Sequence, residues 1–344
     1  MRDYKLIKHT LNFKSPGGTS RGVLRTKPAW LIKFIEDQKI GYGEVSLLPK
    51  LSFDDREDFE KQLSKSLESW KDYQDFDLDQ WPSIRFAFEI GLLSLEKEDP
   101  FVLFNSPFSQ ENAGIEINGL VWMGTKAEMK ARIKEKLTQG FKCIKLKIGA
   151  INFEDELSLI RAIRQEFSAD DIELRVDANG AFSPAEALEK LERLAQLDLH
   201  SIEQPIKQRQ WQEMALLCEK TPIDIALDED LIGISSQAEM EKMLATINPQ
   251  AIVLKPGLLG GFTISSRWIE IANSIGAYWW ITSALESNIG LNAIAQYTAT
   301  FQNKLPQGLG TGQLYTNNIP SPLEIKGKEL FYDSDSNWIL PSDL

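Results

Sequence analysis

Five charged residues follow short apolar runs at nearly even intervals along the middle of the chain. Successive members lie 25 to 30 residues apart, and they are Lys147, Asp177, Glu203, Asp228 and Lys255. One strand, one helix and two connections need about that much chain, so the spacing predicts a series of βα units. Three acids between two lysines at one shared register indicate a metal site with an amine on either side.

The three acids supply oxygen ligands of the hard type. Asp177, Glu203 and Asp228 are therefore predicted to hold Mg²⁺, with Mn²⁺ as the second choice, while water and substrate complete the coordination. Buried together without a cation, three carboxylates would repel one another strongly. Any one acid alone could be a solvated loop residue, but three at one register favour the metal. The chain's 2 histidines are too few for a histidine-rich zinc or iron site.

Two lysines precede the first acid. Lys145 and Lys147 are one residue apart on a predicted strand, so they face the same side, with apolar residues on the other. A neighbouring ammonium group and a divalent cation both lower the pKa of a lysine. Lys147 is therefore predicted to be a catalytic base, and Lys145 to lower its pKa. The alternative is a pair of exposed lysines on a strand edge.

Lys255 lies on the third strand after that of Asp177, which in a closed barrel is roughly across from Lys147. We expect it to be a second amine, at the opposite face of the substrate. A salt bridge to one of the carboxylates is the alternative. A metal and a lysine base together suit the removal of a proton α to a carboxylate, because the metal stabilises the enediolate that forms.

Strand and helix patterns alternate around the five charges. Residues 114–305 contain about seven strands joined by amphipathic helices, which predicts an α/β fold with a parallel sheet closed into a barrel. Catalytic side chains of such barrels stand at the C-terminal ends of the strands, where all five charges lie. Residues 1–113 predict an α+β domain, and residues 306–344 predict short strands that return to it.

Composition sets bounds on partners and location. Hydrophobic residues make up 42% and charged residues 26% of the 344 residues, as in a soluble globular protein. The net charge of −12 argues against binding to nucleic acid or an anionic membrane, so an anionic substrate would need local positive charge. The sequence shows no signal peptide or membrane span, and its 2 cysteines are too few for a disulfide framework. A cytoplasmic protein is therefore expected.

The motifs around the five charges resemble the muconate-lactonizing-enzyme subgroup of the enolase superfamily. The matching segments are Lys-Leu-Lys-Ile-Gly, Val-Asp-Ala-Asn, Ile-Glu-Gln-Pro, Leu-Asp-Glu and Leu-Lys-Pro-Gly, at residues 145–149, 176–179, 202–205, 227–229 and 254–257. Within that subgroup, three further segments resemble the o-succinylbenzoate synthase family of menaquinone biosynthesis, namely residues 117–124, 283–291 and 308–315. Residues 83–92 are similar to a helix of the family's capping domain.

The resemblance implies a (β/α)7β TIM-like barrel, with residues 1–113 as its α+β capping domain and a lid loop near residues 15–21. It implies a lyase that removes water from a succinyl-hydroxycyclohexadiene-carboxylate with the help of Mg²⁺. Lys147 would take the proton and deliver it to the departing hydroxyl, and Lys255 would be a cation–π partner of the ring. Asn179 would orient Asp177. The expected substrate contacts are Ser283, Glu286, Ser287, Asn179 and Arg21.

Other activities use the same charged residues. Racemases and epimerases of the superfamily exchange a proton between two lysines, and an N-acylamino acid racemase remains an alternative. The Asp-x-Asp pair usual in dipeptide epimerases is absent from residues 283–286, which argues against a dipeptide substrate. Only the shared lysines favour a muconate cycloisomerase. A non-catalytic metal-binding barrel is the remote alternative. The expected partner is a small-molecule carboxylate substrate, with a homo-oligomer as an option.

Overall fold

The N-terminal sheet has three antiparallel strands. The computed structural model describes residues 2–19, 22–70, 72, 76–122 and 124–344, without the side chains of residues 2, 18, 19 and 126. The strands, which pair in sequence order, are β1 (Arg2–Thr19), β2 (Gly22–Glu36) and β3 (Lys39–Val45). A register shift lies between Asn12 and Gly17, and pairing with β2 resumes beyond it. Where a lid loop was expected, strand β1 therefore continues to Thr19, while residues 20 and 21 lie outside the described part.

Two helices cover one face of this sheet, α1 (Phe59–Glu68) and α2 (Pro82–Leu95). Alternate residues of β2, Trp30, Ile32 and Phe34, are buried among their side chains, as the two-residue period of a strand requires. The intervening Leu31 is buried on the opposite face, against the last part of the chain. Both faces of β2 are thus covered, which is why residues 28–35 are all apolar except Lys33.

A second sheet of seven parallel strands follows. Its strands are β5 (Gly119–Val121), β6 (Cys143–Lys147), β7 (Glu173–Asp177), β8 (Ser201–Glu203), β9 (Asp224–Leu227), β10 (Ala251–Leu254) and β11 (Tyr278–Ile281). Neighbours in sequence are neighbours in space throughout. The intervening and following helices are α3 (Lys126–Thr138), α4 (Phe153–Glu166), α5 (Pro184–Ala195), α6 (Trp211–Lys220), α7 (Gln237–Ile247), α8 (Pro256–Leu259), α9 (Phe262–Ser274) and α10 (Asn288–Thr298).

The edges of this parallel sheet are joined by Gln307 and Gly308, which lie beyond the last barrel helix. Gln307 bridges Ile117, near the first strand, and Gly308 bridges Thr282, at the end of the last strand, both in the parallel sense. The amide of Gly308 also donates to the carbonyl of Ile281. These two residues occupy the eighth position of the barrel and lie just beyond residue 305. The predicted α/β barrel with an additional α+β domain is confirmed.

Local sequence explains where several barrel helices begin. The hydroxyl of Thr125 accepts from the amide of Glu128, whose carboxylate accepts in return, which forms a capping box at the start of α3. Asn152, Ser236 and Ser287 cap α4, α7 and α10 through their own side-chain oxygens. These caps fix where each helix begins in the connection that follows its strand.

The last part of the chain forms a third sheet and contacts the N-terminal one. Its strands β12 (Leu323–Lys326) and β13 (Glu329–Tyr332) form a hairpin, and β13 pairs with the short strand β4 (Ile115–Glu116). Asn317 hydrogen-bonds β1 at the amide of Asn12 and the carbonyl of Thr10. Among the described residues, none of the helices is long and apolar enough to cross a membrane.

Candidate active site

The strand register brings the predicted charges to one end of the barrel. Lys147 pairs with Asp177, and Asp177 pairs with Glu203, across three neighbouring strands. Asp228 and Lys255 come directly after β9 and β10. Because neighbouring strands are about 4.8 Å apart, equal register means that these side chains meet.

The three acids form a compact buried group. One carboxylate oxygen from each of Asp177, Glu203 and Asp228 lies within 4.8 Å of the others, and the residues are at most 2% exposed. Oxygen donors so arranged fit a hard divalent cation, which would bind all three at once. The arrangement of the three carboxylates is therefore compatible with a site for a divalent metal.

Three ammonium groups balance the three carboxylates. Lys145 Nζ lies 2.9 Å from Asp177 Oδ2 and also pairs with Glu203, while Lys147 pairs with Asp177. Lys255 pairs with Asp228 and lies 3.5 Å from Glu203 Oε1. The salt bridge that was the alternative for Lys255 is thus present, and Lys255 also lines the cavity described below. The lysine pair on β6 is buried rather than exposed on an edge.

The lysines differ in the direction of their pKa shifts. Burial lowers the pKa of Lys147 below the usual value, although Asp177 opposes this, and Lys145 lowers it further. Burial acts in the same sense on Lys255, but Asp228 and Glu203 raise its pKa above the usual value. The pKa of Lys145 is raised likewise by Asp177 and Glu203 against the effect of burial. Burial, with Asp177 nearby, raises the pKa of Glu203 to about 7.

A cavity of about 750 Å³, its opening included, lies against these charges. Its lining includes the polar residues Lys145, Lys147, Asn179 and Lys255 and an apolar wall. That wall consists of Leu24, Leu48, Leu51, Trp122, Ala284 and Leu285, which belong to two hydrophobic clusters that share Leu48. A molecule with an anionic group and an apolar ring would match both parts.

Asn179 links two of the acidic groups next to the cavity. Its backbone amide donates to Asp177 Oδ1 at 2.9 Å, and its side-chain Nδ2 donates to Glu229 Oε1 at 3.0 Å. Its Oδ1 accepts from Lys147 Nζ at 3.0 Å. The residue adopts a positive φ of 47°, a conformation that asparagine tolerates better than most residues. These contacts place it where it could orient Asp177, and both that role and direct substrate contact stay predictions.

The residues predicted to hold a substrate carboxylate are divided between two places. Ser283 lines the cavity, but its hydroxyl donates to Glu286 and accepts from Thr311 and from the amide of Leu285. Glu286 and Ser287 are fully buried and are not part of the cavity lining. Arg21 lies outside the described residues. The substrate contacts of these four residues stay predictions.

Sequence patterns missed several residues around the cavity. Leu24, Leu48 and Leu51 come from the first 51 residues, far in sequence from the lysines that they face. Glu44, on β3, is fully buried and accepts hydrogen bonds from the start of α10. The signal available was a glutamate near the end of a strand, between Gly43 and Val45, and a single sequence gives it no partner.

Comparisons with known proteins agree with this geometry. Residues 128–331 match the family model described as enolase C-terminal domain-like, and residues 1–95 match the MenC N-terminal domain. A protein of Desulfotalea psychrophila named o-succinylbenzoate synthase is 48% identical, with 92% of this chain and 95% of that protein aligned. A protein of the same name from Klebsiella pneumoniae is 25% identical over 87% of each.

Solved structures give the same picture. The crystal structure of MenC from Desulfotalea psychrophila superposes with a TM-score of 0.87 at 42% identity, covering 96% of this chain and 99% of that one. An N-succinyl Arg/Lys racemase from Bacillus cereus superposes with a TM-score of 0.81 at 20% identity, covering 97% and 96%. At that identity the second similarity shows the fold alone.

Proposed function

This chain belongs to the o-succinylbenzoate synthase family of the enolase superfamily, and we propose that it removes water from a succinyl-hydroxycyclohexadiene-carboxylate to form o-succinylbenzoate. The observation that carries the proposal is the cavity itself. It is lined by three lysines that pair with the buried acids, and by an apolar wall. Such a site suits a ring that bears a carboxylate and becomes aromatic. The activity is that of a lyase, with its product on the route to menaquinone.

We propose that Asp177, Glu203 and Asp228 hold Mg²⁺, because three hard carboxylate oxygens within 4.8 Å of one another suit that ion. When bound, the ion would supply positive charge at the substrate carboxylate, where negative charge collects as the α-proton leaves. Lys145 pairs with Asp177 and Glu203 and so holds the two carboxylates in place.

Lys147 is the proposed base and acid. Its neutral amine takes the proton from the ring carbon next to the carboxylate, and the C–H electron pair passes to the carboxylate side. That pair then returns to form the new ring double bond as the C–O bond breaks. The departing hydroxyl takes its proton from the Lys147 ammonium and leaves as water, so the amine is restored and no oxidant is needed. Asn179, bonded to Lys147 Nζ at 3.0 Å, orients the amine.

Lys255 is proposed to remain an ammonium throughout. Asp228 and Glu203 both pair with it, which stabilises its charged form. A fixed positive charge facing the substrate ring stabilises the electron-rich intermediate without accepting a proton. The leucines of the wall would exclude water from the same ring.

N-acylamino acid racemisation is the second candidate. The observation that favours it is that Lys147 and Lys255 both line the cavity, so two amines could exchange one proton. The pairing of Lys255 with two carboxylates favours dehydration instead, because a racemase needs a neutral amine on each face in turn.

We also propose that the protein binds a small-molecule carboxylate and that it binds neither nucleic acid nor a membrane. A homo-oligomer is an option within this proposal. It also includes a cytoplasmic location, which the two free and buried cysteines support.

Ultraviolet absorbance tests the proposal. The purified protein with Mg²⁺ is mixed with the succinyl-hydroxycyclohexadiene-carboxylate, and the diene band should disappear as o-succinylbenzoate forms. Mn²⁺ in place of Mg²⁺ compares the two ions. An unchanged diene band with either ion would contradict the dehydratase. N-succinyl amino acids in D₂O then test the racemase, which would exchange the α-proton for deuterium.

A further inference from the structure

One cavity residue has an unusual backbone that three separate parts of the chain hold in place. Leu285 has a positive φ of 67°, a left-handed conformation that costs a residue with a branched side chain about 1 kcal/mol or more. Its amide donates to Ser283 Oγ at 3.1 Å, and its carbonyl accepts from Tyr315 Oη at 2.7 Å. Such a conformation persists only where its surroundings fix it.

The third restraint comes from the N-terminal sheet. Glu44 Oε1 accepts from the amide of Ser287 at 2.8 Å, and Oε2 accepts from Ser287 Oγ at 2.6 Å and from the amide of Gly290 at 2.8 Å. A carboxylate from β3 thus caps the first turn of α10, two residues after Leu285. Lys27 on β2, also fully buried, donates to Ser46 and faces both Glu44 and Glu286.

The left-handed backbone directs Leu285 towards the N-terminal sheet. Its side chain is buried with Leu11, Ala29 and Tyr315, and Leu24 and Leu48 pack against the same cluster. Leu24, Leu48 and Leu285 all line the cavity. The apolar wall therefore depends on the position of the 283–287 loop relative to the N-terminal sheet and the segment after it.

We propose that Glu44 is a positioning residue, which holds the 283–287 loop against the N-terminal sheet and so sets the shape of the substrate-binding wall. The inference rests on the proposed function for its kinetic consequence. Glu44 touches none of Lys147, Lys255 or the three acids among the contacts of the described residues. Its loss should therefore weaken substrate binding more than the proton transfer.

The chain provides a matched control in Glu89. This residue of α2 accepts from the amides of Phe262 and Thr263, so it also caps a barrel helix, α9, from the first 95 residues. Its partners lie outside the cavity lining. Glu44→Gln and Glu89→Gln each replace a carboxylate that links the two parts of the molecule with an amide of the same shape. In each variant one of the two accepting oxygens becomes an NH2 group, which cannot accept from the backbone amide that faces it.

Steady-state kinetics and amide exchange together test the proposal. We expect Glu44→Gln to raise KM at least tenfold with kcat within threefold, and Glu89→Gln to leave both within twofold. Ser287→Ala removes one of the three hydrogen bonds to Glu44, together with the cap that Ser287 Oγ gives the amide of Ile289, and no charge. It should raise KM about threefold, with faster amide exchange in residues 284–290, and it serves if Glu44→Gln does not fold. Equal kinetic changes in the Glu44→Gln and Glu89→Gln variants, or a loss confined to kcat, would overturn the positioning role.

Amide hydrogen exchange separates this inference from the proposed function, because it needs no turnover. Peptides covering residues 284–290 should exchange faster in Glu44→Gln than in the parent, and at the parent rate in Glu89→Gln. If the parent does not turn over the diene, the proposed reaction fails while this measurement still decides the restraint. Unchanged exchange in Glu44→Gln would show that Glu44 does not hold the loop.

Discussion

The two ends of the barrel bury charge in different ways. At the C-terminal end, three acids and three lysines meet beside a cavity. At the other end, Arg175 on the same strand as Asp177 donates to Glu173 at 2.7 Å and to the carbonyl of Pro306 at 2.9 Å. Its guanidinium carbon lies 4.5 Å from the centre of the Trp280 ring, and the cavity lining does not include it.

The difference shows what makes a buried charge functional. Arg175 is 2% exposed, and its neighbours occupy the space around it with an aromatic ring and a carbonyl. The lysines at the C-terminal end are also buried, yet their ammonium groups border open volume. Arg175, which is packed against an aromatic ring, is placed to support the fold. The lysines next to the cavity can exchange their carboxylate partners for a ligand. The predictions below run from the largest expected effect on turnover to the smallest.

Lys147→Ala should lower kcat at least about 10³-fold, because removal of a general base typically costs 10²- to 10⁴-fold and this amine is also the proposed acid. Absorbance of the diene measures the loss. The thermal midpoint, measured alongside, should stay within a few degrees because a cation can still balance the acids. Retention of a tenth of the parental kcat would place the base elsewhere.

Removal of the divalent metal by EDTA should lower turnover about 10³-fold, since the metal is expected to contribute several kcal/mol to the transition state. Circular dichroism should show a folded protein, because Lys145, Lys147 and Lys255 still pair with the carboxylates. Addition of Mg²⁺ should restore the rate. Full activity in EDTA would contradict the metal site at the C-terminal end.

Leu48→Ala should raise KM about tenfold, or about 1.4 kcal/mol, because it shortens the apolar wall without touching a charged group. The lysines keep their places, so kcat should change less than threefold. Steady-state kinetics separate the two constants. An effect on kcat alone would mean that the wall is not used for binding.

Arg175→Met should leave the kcat of the folded enzyme within threefold while lowering the free energy of unfolding by about 3 kcal/mol. Breaking a buried charge pair typically costs that much, and the contact with Trp280 is also lost. Urea unfolding and kinetics on the same preparation measure both quantities. A hundredfold loss of kcat at unchanged stability would erase the distinction between the two ends.

The clustering of charges at the C-terminal end of the barrel was predictable because the signals for it lie close together in the sequence. Each of the five charges ends an apolar run, and equal register in a parallel sheet turns equal sequence position into spatial contact. The capping box at Thr125 and the proline that starts α5 are likewise short-range signals. The meeting of three acids and three lysines at one end of the barrel could therefore be predicted before any coordinates, while their roles as ligands and bases stay predictions.

The surroundings of those charges depend on distant partners. Glu44 meets Ser287 across 243 residues, and Leu48 reaches the same cavity as Lys255 from the segment that follows β3. No spacing in one sequence encodes such a meeting. The lid near residues 15–21 was expected from the family resemblance and stays a prediction, and Gly17 pairs there with Leu24 as part of a long hairpin. Glycine permits backbone conformations that other residues avoid, but the conformation of this segment also depends on its pairing with β2.

The joining of the parallel sheet by Gln307 and Gly308 has a consequence for how the chain folds. Their hydrogen bonds reach Asn118 and Ile281, and the first of these contacts spans nearly 190 residues. On a ribosome, all seven parallel strands emerge before the residues that join the outer two. Until then β5 and β11 have unpaired edges, which can pair with other nascent chains. Contacts of such high sequence separation also slow folding, so assembly of the ring should be the late step and the one that most needs chaperones.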